Sequence, residues 1–344
     1  WNTLINANVA SPVVAGLTQY VCVGWSGVGS APSAGTSNEV SFNITNNTTL
    51  AWNWSTQVWL NLNPPANGSV DLSSGWYWHG TNLTLTATPD TNYQFDGWTG
   101  DIVTNVNPLP LVMDRDYDLL PSFSIITNSL IVESAHGAPT PATGTNWYVR
   151  QSTINASVVS PVADGATTQY VCVGWAGSGT TPVSGSNAVI SPFDILTNST
   201  LTWLWETNYW LDLTPAGQGE LDQATGWFLR NSNVTINATA SNGWHFAGWT
   251  GDLTTNANPL VLPMGQPYAL TATFAIDEFT LTVTSDQGNP VPAGVTTNNW
   301  DTPLNPTVEA SLNDGATQYV CVGWVRTGST TLTGTSNVTA FNIT

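Results

Sequence analysis

Apolar and polar positions alternate with a period of two in Leu83-Thr84-Leu85-Thr86-Ala87-Thr88, in Val234-Thr235-Ile236-Asn237-Ala238-Thr239 and in Phe279-Thr280-Leu281-Thr282-Val283-Thr284. This pattern predicts half-solvated β-strands, and the β-branched Thr and Val suit them. Turn-forming clusters interrupt the strands every few residues, as at Pro64-Pro65-Ala66-Asn67-Gly68, Asn289-Pro290 and Asn313-Asp314-Gly315. No window of about 11 residues or more carries a convincing helical period, so the fold class is read as all-β.

The strands are organised by repetition. Gln19-Tyr20-Val21-Cys22-Val23-Gly24-Trp25 recurs as Gln169 to Trp175 and again as Gln318 to Trp324, at steps of 150 and 149 residues. Trp1, Trp147 and Trp300 are read as openers of these units, and Gly35-Thr36-Ser37-Asn38 is echoed by Gly334-Thr335-Ser336-Asn337. A second motif lies between the copies: Phe95-Asp96-Gly97-Trp98-Thr99-Gly100-Asp101, then Phe246-Ala247-Gly248-Trp249-Thr250-Gly251-Asp252, followed by Asn107-Pro108 and Asn258-Pro259. Two module types therefore alternate, with partial Cys-type modules at 1–54 and 277–344. A full Cys-type module spans 126–206, and Gly-Trp-Thr-Gly-Asp modules span 55–125 and 207–276. Units of roughly 70–80 residues have little interior, so neighbours are expected to stack or share a sheet edge in an elongated rod of small β-sheet or β-sandwich modules.

Eighteen tryptophans fit this scheme, since small β-modules need large side chains to fill a core. Trp52 and Trp54 match Trp203 and Trp205, and a spacing of two puts each pair on one strand face. Most are expected to be buried. The consecutive Trp76, Tyr77 and Trp78 must point to both faces of a strand, and in the second copy Trp227-Phe228-Leu229 takes their place. Exposed indoles there, at Trp78 and Trp227, would stack on sugar rings or seat the next module.

Charge narrows the partners. Only 8% of residues are charged, against roughly 25% in ordinary soluble proteins, and the net charge is −18 with four arginines and no lysine. Phosphate backbones and anionic membrane surfaces need clustered cations, so nucleic acid and membrane are excluded as partners. Without lysine, Lys–Asn isopeptide links cannot form within the segment. A surface solvated by Thr, Asn, Ser and Gly points outside the cell. No stretch approaches the ~18 apolar residues of a membrane span, and export or anchoring signals are expected beyond this segment. Cys22, Cys172 and Cys321 occupy one repeat position and cannot pair within a module. They are read as buried strand thiols, a cross-chain disulfide being the alternative.

Residues Tyr93-Gln94-Phe95-Asp96-Gly97-Trp98-Thr99-Gly100-Asp101, with Asn107-Pro108, Met113 and the strand ending at Phe123, resemble the divergent internalin B-type repeat of bacterial surface proteins. The copy from Trp244 to Phe274 is similar, with Met264 and Leu270-Thr271-Ala272-Thr273-Phe274; the first copy departs from it at Pro121-Ser122-Phe123. The Cys modules, with Gly174-Trp175-Ala176-Gly177-Ser178-Gly179 and Leu201-Thr202-Trp203-Leu204-Trp205, resemble a companion repeat found beside it in large secreted bacterial proteins. The resemblance implies β-rich modules strung as stalks or adhesin shafts, with no catalytic residues to carry over.

The side chains offer little chemistry. His79, His136 and His245 occupy no shared repeat position, and carboxylates are sparse, so the chain is expected not to be an enzyme and to hold no cofactor. Asp114, Asp116 and Asp118 offer oxygen ligands to calcium, the alternative being three carboxylates on one solvated strand face. Asp101 and Asp252 are expected to accept local backbone hydrogen bonds in a turn. Asn-x-Ser/Thr sequons at Asn43, Asn46, Asn47, Asn53, Asn67, Asn82, Asn155, Asn198, Asn233, Asn237, Asn337 and Asn342 are glycosylation candidates. The reading is a structural repeat segment of an extracellular or cell-surface bacterial fibre or stalk. It is expected to assemble with identical subunits or continuing chain, by module packing and strand complementation of open edges at both ends. The alternative is a carbohydrate-binding adhesin module using exposed tryptophans.

Overall fold

The computed structural model describes residues 2–63, 66–328 and 331–344; the readings resting on Trp1, Pro64 and Pro65 lie outside them. The chain is all-β, and among the described residues there is no helix and no sheet closed into a barrel.

Every Gly-Trp corner in the first two copies of each motif is a β-bulge. Pairing slips by one residue between Cys22 and Gly24, Cys172 and Gly174, Phe95 and Gly97, and Phe246 and Gly248. The four glycines take φ of 135°, 139°, 152° and 142°, a region that suits glycine alone. At Gly174 a Cβ would also stand 1.8 Å from the Gly185 carbonyl oxygen. Each bulge turns the following indole inward, and Trp25, Trp175, Trp98 and Trp249 are all buried. Both module types are thus built on one bulged strand.

The bulged strand of the Cys module, Thr168–Ser178, pairs antiparallel along its length with Ser199–Ala216, which also runs parallel to Thr127–Glu133. Ser199–Ala216 does not end with its module. From Asn208 it pairs with Gly226–Leu229 and, from Leu211, in parallel with Tyr268–Ile276, whose other edge carries the bulged strand Trp244–Gly251. One sheet of nine strands therefore crosses from one module into the next. Thr49–Leu62 plays the same part earlier, joining Thr18–Val28 to Gly75–Trp78 and Tyr117–Ile125. The expected module limits at 54/55 and 206/207 fall inside these two bridging strands.

Each core lies between the large sheet and short pairs such as Asn82–Leu85 with Leu109–Val112, or Asn233–Ile236 with Leu260–Pro263. The bridging strand Ser199–Ala216 feeds two cores: Leu201 and Trp203 join Leu130, Val132 and Trp175, while Leu211 and Leu213 join Ile236, Trp249 and Met264. Five indoles, those of Trp25, Trp98, Trp175, Trp203 and Trp249, are buried, Trp54, Trp78 and Trp147 are exposed, and the other nine described ones are half-buried. The expectation is that most of the tryptophans are buried. Partial burial wins because these modules are only two thin layers deep, and the outward faces carry indoles as well.

Two readings from the repeat need correction. Trp147 is not the counterpart of Trp300. The hydrogen bonds from Asn2, Gln151 and Asp301 N–H to the carbonyls of Ile44, Ile195 and Ile343 align those three residues, so Trp300 matches Arg150. Asp101 and Asp252 do not serve a local turn. Their carboxylates accept the N–H of Asp118 and Ala269, 17 residues onward, at 2.8 and 2.7 Å, tying each bulged strand to its neighbour. The departure at Pro121-Ser122-Phe123 leaves pairing intact, with Trp98 opposite Pro121 as Trp249 is opposite Ala272.

The solvent-accessible area is 19447 Å². A compact monomer of 36.6 kDa would expose about 13,500 Å². The excess is what a row of small modules requires.

Candidate functional site

The feature that sets this chain apart is the junction at each bridging strand. At the second, Thr168 stands opposite Tyr209 and Gln169 opposite Asn208 in one module, while Asn208 faces Leu229 and Trp210 faces Trp227 in the next. Trp210 N–H donates to the Thr167 carbonyl at 2.9 Å, and Arg230 N–H donates to the Thr207 carbonyl at 2.9 Å. The backbone at 207–210 thus holds both modules at once. A hairpin of Thr127–Glu133 and Gly144–Val149 seals the Cys-module side, and the loop after its first strand stacks His136 on Tyr170 with ring centroids 3.5 Å apart. Trp205 closes the group, its ring 5.7 Å from His136 and its Nε1–H donating to Ser134 Oγ at 3.0 Å. Tyr170 in turn donates to Asp164 Oδ2 at 3.0 Å, and that carboxylate raises the phenol pKa above its ordinary value.

The outward face of the first bridging strand is aromatic. Val58, Leu60 and Leu62 turn inward, leaving Gln57, Trp59 and Asn61 on the other side. Trp76 and Trp78 lie opposite Trp59 and Gln57, with Trp59 and Trp76 edge to face at 5.2 Å. Trp78 is 43% exposed. Around them Gln19 Nε2 donates to Gln57 Oε1 at 2.6 Å, and the Asn61 and Asn63 amides both donate to Asp118 Oδ1, at 3.0 and 2.7 Å. In the later module Trp210 and Trp227 repeat the edge-to-face pair at 5.1 Å, and Leu229 stands where Trp78 does. Trp227 is accordingly half-buried against Trp210 rather than presented to solvent.

The Asp-x-Asp-x-Asp run does not form one strand face. Asp114 and Asp116 lie in the bend before Tyr117–Ile125, and only Asp118 is in the strand. Asp114 accepts the Tyr117 hydroxyl at 2.8 Å, Asp118 is held by the two asparagine amides, and among the described residues no group of three His, Cys, Asp or Glu side chains gathers to hold a metal. Of the sequon asparagines, Asn43, Asn46, Asn47, Asn53, Asn67, Asn82, Asn155, Asn198, Asn233, Asn237 and Asn342 are exposed, and Asn337 is half-buried. The side-chain nitrogens of Asn237, Asn337 and Asn342 donate to Asp222, to the Val308 carbonyl and to Asp301. Asn198 Oδ1 accepts Ser129 N–H at 2.9 Å where two strands meet in parallel. The three thiols are free; Cys22 and Cys172 are buried and point at the carbonyls of Gly24 and Gly174.

Several residues that organise these sites escaped the sequence reading. Asn107 and Asn258 each clamp one backbone residue, accepting Ala87 and Ala238 N–H at 2.9 Å and donating to the same residues' carbonyls at 2.7 Å. The repeated Asn-Pro marked the place but not the role. Ser11 and Ser160 accept the N–H of Cys22 and Cys172 at 2.9 and 2.8 Å, and the recurring Ser-Pro pair upstream of each heptapeptide was a usable signal. His136 gave none, because its partners lie 34 and 69 residues away.

These features define a tandem array of β-modules of two alternating types, welded through shared strands. Within the Gly-Trp-Thr-Gly-Asp modules, residues 58–125 and 209–278 match the family model of the Divergent InlB B-repeat domain. No curated protein matches the chain significantly. Among the described residues no helix is long and apolar enough to cross a membrane.

Proposed function

We propose that the chain is a structural segment of an extracellular bacterial fibre or surface stalk, providing reach by linking β-modules end to end, without catalytic activity. The observation that carries this reading is the bridging strand. A flexible tether would let modules rotate freely, whereas Ser199–Ala216 runs through one shared nine-stranded sheet and two cores without a break. The large exposed area and the surface-repeat family of the alternating modules support the same reading. Small-angle scattering of the purified chain, followed by electron microscopy of the secreted protein, tests it. An extended particle that forms or joins filaments is the expected result, and a compact globule would refute it.

A second reading rests on the outward face of Trp59, Trp76 and Trp78. Indoles beside amide donors suit stacking and hydrogen bonding to a neutral polysaccharide. Glycan-array binding lost in Trp78→Ala is the expected result for that role, and silence of the unmodified chain across the array would refute it.

A further inference from the structure

The third copy of the heptapeptide is folded differently from the first two. Thr18–Val28 and Thr168–Ser178 are single strands of 11 residues, each paired with a bridging strand. In the third copy the corresponding chain is split into Thr317–Val320 and Trp324–Arg326, and each piece pairs only with a short local neighbour, Ser311–Asp314 or Leu332–Gly334. Val322 is 86% exposed, and Cys321 and Trp324 are half-buried where their counterparts are buried. The hairpin of Glu278–Val283 and Gly294–Asn299 corresponds to the one that flanks Ser199–Ala216 in the second copy, but its first strand has no partner on the far edge among the described residues. Between that edge and the heptapeptide lies a groove of about 410 Å³, bounded by Leu281, Val283, Cys321, Trp324 and Phe341.

We infer that this groove is a receptor for one extended strand of the Thr-Leu-x-Trp-x-Trp type found at residues 49–54. The inference deepens the array reading and rests on it, because it names how a further module is joined. The two other copies define the occupant. Cys22 stands opposite Trp54 and Trp25 opposite Trp52, Cys172 opposite Trp205 and Trp175 opposite Trp203, and Leu130 to Val132 run parallel to Ser199 to Leu201. The incoming strand therefore lies antiparallel to 318–326, its second tryptophan opposite Cys321, and parallel to Leu281 to Val283. Both open ladders are satisfied by one strand, which is the mode of edge-strand addition.

The test uses the full chain with residues 46–62 appended after Thr344, which is in register because Phe341 to Thr344 repeat Phe42 to Thr45. Thiol alkylation is read by mass spectrometry at each cysteine, with Cys22 and Cys172 as protected references. In the unextended chain Cys321 is expected to react fastest, and the appended strand is expected to slow it by about tenfold or more, as a closed local structure does. The same extension carrying Trp52→Ala and Trp54→Ala within the appended copy is expected to leave Cys321 reactive. Equal protection by both extensions, or by neither, overturns the inference. So does protection of the unextended chain that rises with protein concentration, which would assign the groove to contact between copies. Scattering on the same samples separates the two levels: an extended particle with a reactive Cys321 rejects strand capture while leaving the array, and a compact particle rejects the array whatever the thiol does.

Discussion

If the bridging strand couples modules, damage on one side of a junction must be felt on the other. Leu211 is the sharpest probe, since it is fully buried in the later module, ten residues along the strand from Leu201 in the earlier core. Leu211→Ala removes buried methyl groups and leaves a cavity, which costs about 3–5 kcal/mol. A module of 70 residues holds only about 4–10 kcal/mol in total, so this change brings residues 207–276 close to unfolding. Opening there frees the backbone at 208–210, which loses its pairing with Gln169 and Thr168 and the Trp210 N–H bond to Thr167. At about 1 kcal/mol for each of these hydrogen bonds, the near end of the heptapeptide strand loses about 2 kcal/mol. Hydrogen exchange with mass spectrometry resolves both effects. Exchange is expected to quicken by about a hundredfold or more within 207–276, by about thirtyfold at Thr168 to Val171, and not at all within 58–125. Unchanged exchange at Thr168 to Val171 while 207–276 opens would refute the coupling and reduce the junction to a tether.

Three further outcomes follow from the same geometry. Gly174→Ala is expected to destabilise more than Gly248→Ala, because the new Cβ meets a carbonyl oxygen at 1.8 Å in one and 3.2 Å in the other, both at positive φ; parallel thermal melts compare them, and equal losses would contradict the steric argument. Asn258→Ala is expected to cost about 1–3 kcal/mol by releasing both backbone groups of Ala238, read as faster exchange in the Asn233–Ile236 pairing, with Asn107 as the intact internal control. Donation from the side chain and backbone of Asn237 lowers the Asp222 pKa below the usual carboxylate value, as backbone N–H donation from Thr86 does for Asp71. The stabilisation from a depressed folded pKa is full above the unfolded value and is lost as pH falls through the folded one, so Asp222→Asn is expected to flatten the decline in melting temperature as pH falls through and below the ordinary carboxylate range.

Much of this architecture was legible in the chain. Period-two alternation and turn chemistry sufficed for the all-β class, and the recurrence of Gly-Trp marked the places where the bulges fall but not the bulges themselves, because a register slip depends on the paired strand. The aromatic pair Trp59 and Trp76 was less visible. Its two members come from different strands, and only the pairing brings them edge to face. The carboxylates of Asp101 and Asp252 misled for the same reason, since a turn-like sequence context hid partners 17 residues away.

The heptapeptide Gln-Tyr-Val-Cys-Val-Gly-Trp draws the line between the two kinds of information. By itself it determined extended backbone and a glycine at positive φ just before the tryptophan, at 135°, 139° and 143° in Gly24, Gly174 and Gly323, all set by backbone preferences within a few residues. Whether its cysteine is buried was decided elsewhere: at Cys22 and Cys172 by a strand that returns some 30 residues later to lie against them, and at Cys321 by the lack of such a strand among the described residues. Local residues select a conformation, but burial and hydrogen-bond closure in a sheet belong to the neighbour. Only the tertiary structure says which neighbour arrives.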